Sequence, residues 1–214
     1  MEATRLIAVR HGETAWNADT RIQGHIDIPL NETGLWQAAR AGEALADEAV
    51  GAIYASDLQR AWQTAQAIAD AQPQPVQVVA DPRLRERAFG SFEGRTFAAI
   101  EAETPEDARR WRQRDPHFAP AGGENLVDFR QRITAAAADL AARHPGELVV
   151  LVAHGGVMDV LYRAATGQDI QAPRTWALGN AAINRLLWTP QGFSLVGWSD
   201  VGHLLPALLD DGSA

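Results

Sequence analysis

Short, unbroken apolar runs alternate along the chain with longer segments of helical period. Leu6–Val9, Ala52–Ala55, Val76–Val79 and Leu148–Ala153 are continuous rather than alternating. That is the pattern of strands covered on both faces in a parallel sheet. Between them, Glu32–Leu45 is alanine-rich and ends in a charged turn, and Leu58–Ala69 follows Ser56-Asp57, a candidate N-cap. Leu126, Phe129, Ile133 and Leu140 mark one apolar face of a helix between about Asn125 and Arg143, closed by His144-Pro145-Gly146. Near the end, Ala182–Trp188 and Phe193–Trp198 flank Pro190-Gln191-Gly192 and predict a hairpin added antiparallel to the sheet. Pro105–Gly123 is polar, carries three prolines and reads as an elaborated loop with one group of helical turns. The alternation predicts an α/β fold: a three-layer α/β/α sandwich whose mainly parallel central sheet carries an antiparallel edge strand. At 214 residues, the expectation is a single domain over residues 1–214.

Composition narrows the partners. The chain has 19 basic and 27 acidic residues, a formal net charge of −8, and every basic residue is arginine. No polybasic run offers a footprint for nucleic acid or for an anionic membrane, so neither is expected as a partner. With no cysteine there is no disulfide framework, thiolate nucleophile or zinc-thiolate site. The first apolar run is cut short by Arg10-His11, too early for a signal peptide or a membrane span, and a cytoplasmic location is expected. Seven tryptophans could serve a core, a substrate wall or an interface, so monomer and homodimer both stay open.

Three strand ends carry the candidate chemistry. Leu6–Val9 runs into Arg10-His11-Gly12, Leu148–Ala153 into His154-Gly155-Gly156, and Ala52–Ala55 into Ser56-Asp57-Leu58-Gln59-Arg60. In an open parallel sheet the ligand crevice lies beyond the carboxyl ends of the strands. Two histidines and two arginines then converge there, and the glycines after each histidine let backbone approach a ligand. Arg60 in a first helical turn faces the positive end of the helix dipole, which is unfavourable without an anion nearby. The cluster is cationic and rich in donors, which suits a phosphate. His25, His117, His144 and His203 lack comparable partners and read as structural or surface residues.

The motifs then resemble a known family. Arg10-His11-Gly12-Glu13-Thr14-Ala15-Trp16-Asn17 is similar to the signature of the histidine phosphatase superfamily, the phosphoglycerate mutase-like group. The likeness continues through Arg21-Ile22-Gln23-Gly24 and Pro29-Leu30-Asn31-Glu32-Thr33-Gly34. It then takes in Ser56–Ala61 with Thr64-Ala65, Leu84–Gly90 with Glu93-Gly94, Gly122-Gly123-Glu124 and Ala153–Gly156. The final 50 or so residues resemble the family more weakly, through Asn180–Leu187.

The resemblance implies that His11 is the nucleophile and becomes a phosphohistidine, with Arg10, Arg60 and His154 holding the transferring phosphoryl group. It places the general acid and base at Glu86 rather than Glu93, whose Glu-Gly pair looks like a turn element. It makes Gly12, Asn17, Gln23, Gly24, Arg87 and Gly155 expected substrate-binding positions. Glu13, beside the nucleophile, is expected to orient local backbone or an arginine. A neutral imidazole is needed for in-line attack, and neighbouring arginines should lower its pKa. Positioning and charge stabilisation supply most of the catalysis in phosphoryl transfer.

Other routes to such chemistry fall away. A chain without lysine holds no P-loop. The G-x-S-x-G of serine hydrolases is absent. No grouping of aspartates and histidines has metal-ligand spacing, so no metal is expected. The function expected is a metal-independent phosphatase acting on a small phosphorylated metabolite. The first alternative is a phosphoglycerate mutase, whose pattern uses a lysine and an arginine pair that only Arg109-Arg110-Trp111-Arg112 could imitate. In the mutase case alone would 2,3-bisphosphoglycerate be a cofactor; otherwise none is expected. The Gly122-Gly123-Glu124 block looks like the phosphatase branch, where serine often follows, although Asn125 stands there. The second alternative, a non-catalytic phospho-ligand binder, is disfavoured because His11 and Glu86 are both present.

Overall fold

Leu148–Ala153, apolar at every position and wholly buried, is the strand around which the sheet is built in the computed structural model, which describes residues 2–205. The strands are β1 (Thr4–Arg10), β2 (Val50–Ala55), β3 (Val78–Ala80), β4 (Leu148–Ala153), β5 (Ile183–Thr189) and β6 (Gly192–Asp200). They form one sheet in the order β3-β2-β4-β1-β5-β6. β1, β2 and β3 run parallel to their inner neighbours, whereas β5 pairs antiparallel with β1 and β6 antiparallel with β5. The hairpin therefore contributes two antiparallel strands rather than one, of which β6 is an edge of the sheet, the other edge being β3.

The helices are α1 (Ala15–Ala18), α2 (Glu32–Leu45), α3 (Gln59–Asp70), α4 (Phe97–Glu103), α5 (Pro105–Arg112), α6 (Leu126–Ala142) and α7 (Gly155–Thr166). The unbroken apolar strands are explained by two cores. Leu6, Ala8, Val149, Leu151 and Ala153 face a cluster completed by α6 and α7, while Ile7, Val9, Val150 and Val152 face one completed by α2 and α3. Alternate residues of one strand point to opposite faces, so both sets must be apolar. On α6, Phe129, Ile133, Ala136, Ala137, Leu140 and Ala141 recur at helical spacing and are all buried. Each large apolar side chain buried this way contributes roughly 1.5–3 kcal/mol. Across the sheet, Gly42 lets α2 approach α3, since a Cβ there would lie 2.5 Å from the Ala67 carbonyl oxygen.

Three local expectations are corrected. The third strand is Val78–Ala80, two residues later than the apolar run Val76–Val79 begins, because its pairing with β2 places Ala80 opposite Ala55. α3 starts at Gln59, with Leu58 at the N-cap position and no side-chain cap of its own; Asp27 of a distant loop accepts from the Gln59 amide at 2.7 Å instead. The Pro105–Gly123 segment opens with the two-turn helix α5, whose first turn holds Pro105, Glu106 and Asp107 and whose last holds Arg109, Arg110 and Arg112. Proline at the first position, acids at the start and bases at the end are all helix-favouring. α4 and α5 with Phe92, Ile100, Ala108 and Phe118 form a third, smaller cluster outside the sheet. Among the described residues, no helix is long and apolar enough to cross a membrane.

Candidate active site

The register of the sheet brings the three strand ends to one edge. Arg10 pairs with Ala153, and Ala55 with Val152. The next residues continue the ladder, His11 N–H donating to Ala153 O at 2.9 Å and Ser56 N–H to Val152 O at 3.0 Å. His11, Ser56 and His154 thus emerge side by side, and the rings of His11 and His154 lie 5.2 Å apart between centroids, tilted by 59°.

His11 is buried, and its Nδ1 lies 2.7 Å from the Gly12 carbonyl oxygen. A carbonyl can only accept, so Nδ1 carries the proton and Nε2 keeps its lone pair. Burial first, then Arg10 and Arg60, hold the imidazole well below its ordinary pKa, outweighing the Gly12 carbonyl, which raises it. His154 is buried too and is held well below the ordinary range, again by burial first and then by Arg60, His11 and Arg10. Its Nε2 is 2.8 Å from Ser56 Oγ, while its Nδ1 is buried without a protein partner among the described residues.

The two arginines are aimed by backbone carbonyls. Arg60 donates to Gly24 O at 2.7 Å and to Ile26 O at 2.9 Å, and burial pushes its pKa down to about 10. Arg10 donates to Leu178 O. The Nε of each is buried with no partner among the described residues. Unpaired buried donors around a histidine with a free lone pair make an anion receptor. His154 also occupies the N-cap position of α7 without capping it through its side chain, so the positive end of that helix dipole opens on the same place.

Glu86 stands beside this group. Its Oε2 accepts from the Gly156 amide at 2.9 Å and its Oε1 from the Arg87 amide at 2.8 Å. Its own carbonyl oxygen lies 2.8 Å from His25 Nε2 and accepts from Arg132 at 3.2 Å. His25 is therefore structural, as its lack of sequence partners suggested. Glu93 is not part of the cluster: its Oε1 accepts from the His25 and Phe89 amides and closes the loop around Gly24.

The expected binding positions divide by geometry. Gly155 is adjacent to Arg10, a Cβ there standing 3.5 Å from Arg10 Nε. Gln23 is buried with Oε1 unpartnered. Gly12 spends its amide on Thr64 Oγ1 at 3.0 Å, and Gly24 spends its carbonyl on Arg60, so both position other groups. Asn17 uses Oδ1 to accept from the Thr14 amide in a capping box. Glu13 accepts from Asn31 Nδ2 at 2.9 Å, a side-chain amide rather than the backbone or arginine expected. Arg87 lines a cavity beside Glu86, but it also donates to Glu124 O at 2.7 Å and Phe118 O at 2.8 Å and so braces the loop that walls this cavity.

Two contributors were missed from sequence. Asn180 Nδ2 donates to His11 O at 3.0 Å and the Ala181 amide to Arg10 O at 3.0 Å, so the segment before β5 clamps the loop that carries His11. The only signal for it was the weak resemblance through Asn180–Leu187. Ser56, which the sequence places at a strand end without a role of its own, is the partner of His154.

Similarity to known proteins agrees with this geometry. The model of the histidine phosphatase superfamily (branch 1) matches residues 6–201. A metal-independent phosphoserine phosphatase of Arabidopsis thaliana is 39% identical over 206 residues, covering 95% of this chain and 84% of that protein. A phosphoglycerate mutase-like protein 4 of the same plant is 36% identical over 207 residues, covering 95% and 88%. A mycobacterial glucosyl-3-phosphoglycerate phosphatase, solved in complex with VO3, superposes with a TM-score of 0.79 at 36% identity, over 91% of this chain and 98% of that one.

Proposed function

This chain belongs to the histidine phosphatase superfamily, and from that premise we propose that it is a phosphomonoester hydrolase working through a phosphohistidine on small phosphorylated metabolites. The observation that carries the reading is the His11 Nδ1 contact with Gly12 O, which leaves Nε2 as a lone pair within a ring of buried, unpaired cationic donors.

In the first half-reaction His11 Nε2 attacks phosphorus, the N–P bond forms, and the P–O bond to the alcohol breaks. The Glu86 carboxyl passes a proton to the departing alkoxide. In the second, Glu86 takes a proton from water as the water oxygen attacks phosphorus, the N–P bond breaks, and inorganic phosphate leaves with the imidazole restored. One carboxyl serves both steps in opposite directions. Arg10 and Arg60 neutralise the equatorial oxygens, and His154, in the tautomer whose Nε2 accepts a hydrogen bond from the Ser56 hydroxyl, donates from Nδ1–H. Charge stabilisation is thus supplied by side chains and the α7 N-terminus, and no step draws on a metal or organic cofactor.

The phosphoglycerate mutase reading, with 2,3-bisphosphoglycerate as cofactor, is weaker here. Arg109 is exposed and paired with Glu106, and Arg110 with Asp115; neither lines the cavity beside Glu86. Assay of 3-phosphoglycerate with and without 2,3-bisphosphoglycerate decides between the two. The direct test of mechanism is His11→Ala, which should abolish both turnover and acid-labile phosphoryl labelling. Retained turnover would refute the mechanism.

A further inference from the structure

A cavity of about 270 Å³ is lined by Glu86, Gly155 and Gly156 but not by His11. Its ionisable lining comprises five arginines and two carboxylates, a local excess of three positive charges in a chain of net charge −8. The carboxylates are already engaged: Glu86 by two amides, and Asp159 through Oδ2 by Arg114 at 2.8 Å and Arg163 at 3.0 Å. Phe89, Trp111 and Phe129 give the same cavity an apolar wall.

Three of the arginines come from separate segments and retain unused donors. Arg130 on α6 and Arg174 after α7 make no hydrogen bond or ion pair through their guanidiniums among the described residues. Arg114 places Nε on Ile170 O at 2.8 Å and one terminal nitrogen on Asp159, leaving the other terminal nitrogen unbonded. Arg114 also holds a left-handed backbone, φ 52, just past the end of α5, where glycine is the usual residue. A strained backbone bearing a guanidinium is the kind of departure that collects at ligand sites. Burial depresses the pKa of Arg114, and the charges of Arg163 and Arg174, which line the same cavity, add to it. Such a cluster is unfavourable alone and is relieved by an anion.

We propose that Arg114, Arg130 and Arg174 form a second anion subsite, so that the preferred substrates are phosphomonoesters whose organic part carries another acidic group. The proposal rests on the phosphatase reading for the end at which the scissile phosphate sits. The acidic group is a carboxylate or a second phosphate; both present oxygens that a guanidinium binds in the same way.

The test compares substrates matched except for that group. kcat/KM is measured for 3-phosphoglycerate against glycerol 3-phosphate, O-phosphoserine against O-phosphoethanolamine, and fructose 1,6-bisphosphate against fructose 6-phosphate. The acid-bearing member of at least one pair should be preferred by about tenfold or more, the size of one desolvated charge-assisted contact. The pair that responds identifies carboxylate or phosphate. In Arg130→Ala/Arg174→Ala that preference should collapse to within about threefold. Wild-type protein without preference in any pair, or a double variant that keeps it, overturns the subsite. If no phosphomonoester is turned over, the phosphatase reading fails separately. Calorimetric titration with the same pairs then reads the preference as a ratio of Kd values: a preference lost in the double variant supports the subsite, and its absence in wild type overturns it.

Discussion

In the first turn of α7 the amide of Gly156 donates a 2.9 Å hydrogen bond to Oε2 of Glu86, and a Cβ on that glycine would stand 2.2 Å from Oε1. The glycine is thus the seat of the carboxyl proposed as acid and base. In Gly156→Ala the carboxyl must move, and kcat should fall by about tenfold or more, part of the factor a positioned acid–base group supplies. The obstructing atoms are the tip of a flexible side chain and, at 3.1 Å, Phe129. Alanine also favours a helix by roughly 0.5–1 kcal/mol over glycine, so the melting temperature should hold within a few degrees. Kinetics beside a melt of the same sample check the pair of outcomes; unchanged kcat would contradict the seating role.

Gly34 gives the opposite balance. A Cβ there would lie 2.0 Å from Glu13 O, and one on Gly12 would lie 2.4 Å from Gly34 O. Both collisions are with backbone, which cannot swing aside. Gly34→Ala should lose about 1–3 kcal/mol by forced displacement of the nucleophile loop, and activity with it. Denaturant unfolding reads the first loss, and a stability equal to wild type would contradict it.

Asp27 caps α3 from across the site, its Oδ1 receiving the Gln59 amide and its Oδ2 the Gln59 side chain at 3.1 Å. Asp27→Ala should lose about 0.5–2 kcal/mol, the usual range for a cap. The same loop carries the Gly24 and Ile26 carbonyls that aim Arg60, so KM for a phosphate ester should rise as well. Asp27→Asn, which can still accept, should restore most of both.

Stability should depend on pH through the two buried histidines. Both titrate well below the ordinary value in the folded protein, so the unfolded chain binds more protons near and below pH 6.5. Their contribution is therefore complete above the unfolded pKa and is lost as pH falls toward the folded values. Each can add a slope of about 1.4 kcal/mol per pH unit within that window. Denaturant midpoints should drop between about pH 7 and about pH 5.5, and His154→Asn should roughly halve the dependence. A flat profile in wild type would show that these imidazoles are not held neutral.

What the sequence disclosed follows from which signals are local. β1 and β4 were legible because both faces are buried along Leu6–Val9 and along Leu148–Ala153. His11 and His154 were legible as the residues that end those strands. α5 was read only as a group of helical turns within a loop because only Ala108 of its eight residues is buried, leaving no apolar stripe to read, although its capping pattern was present. The Asp27 cap, the Asn180 clamp and the Ser56–His154 contact join positions separated by 32, 169 and 98 residues. No periodicity within a window reports such contacts. Arg114 and Arg174 were equally silent, since one arginine looks like another until the fold turns them toward one cavity.

The pairing of β1 has a consequence for how the molecule comes into being. This strand, whose last residue precedes His11, lies between β4 and β5, so residues 4–10 must wait for residues 148–153 and 183–189. Contacts of such sequence separation form late, because the loop they close must be ordered first. On the ribosome the pocket around His11 cannot assemble until residues 183–189 have emerged, with the Asn180 clamp arriving just before them. Products terminated ahead of β5 therefore lack a partner of β1 and should be inert.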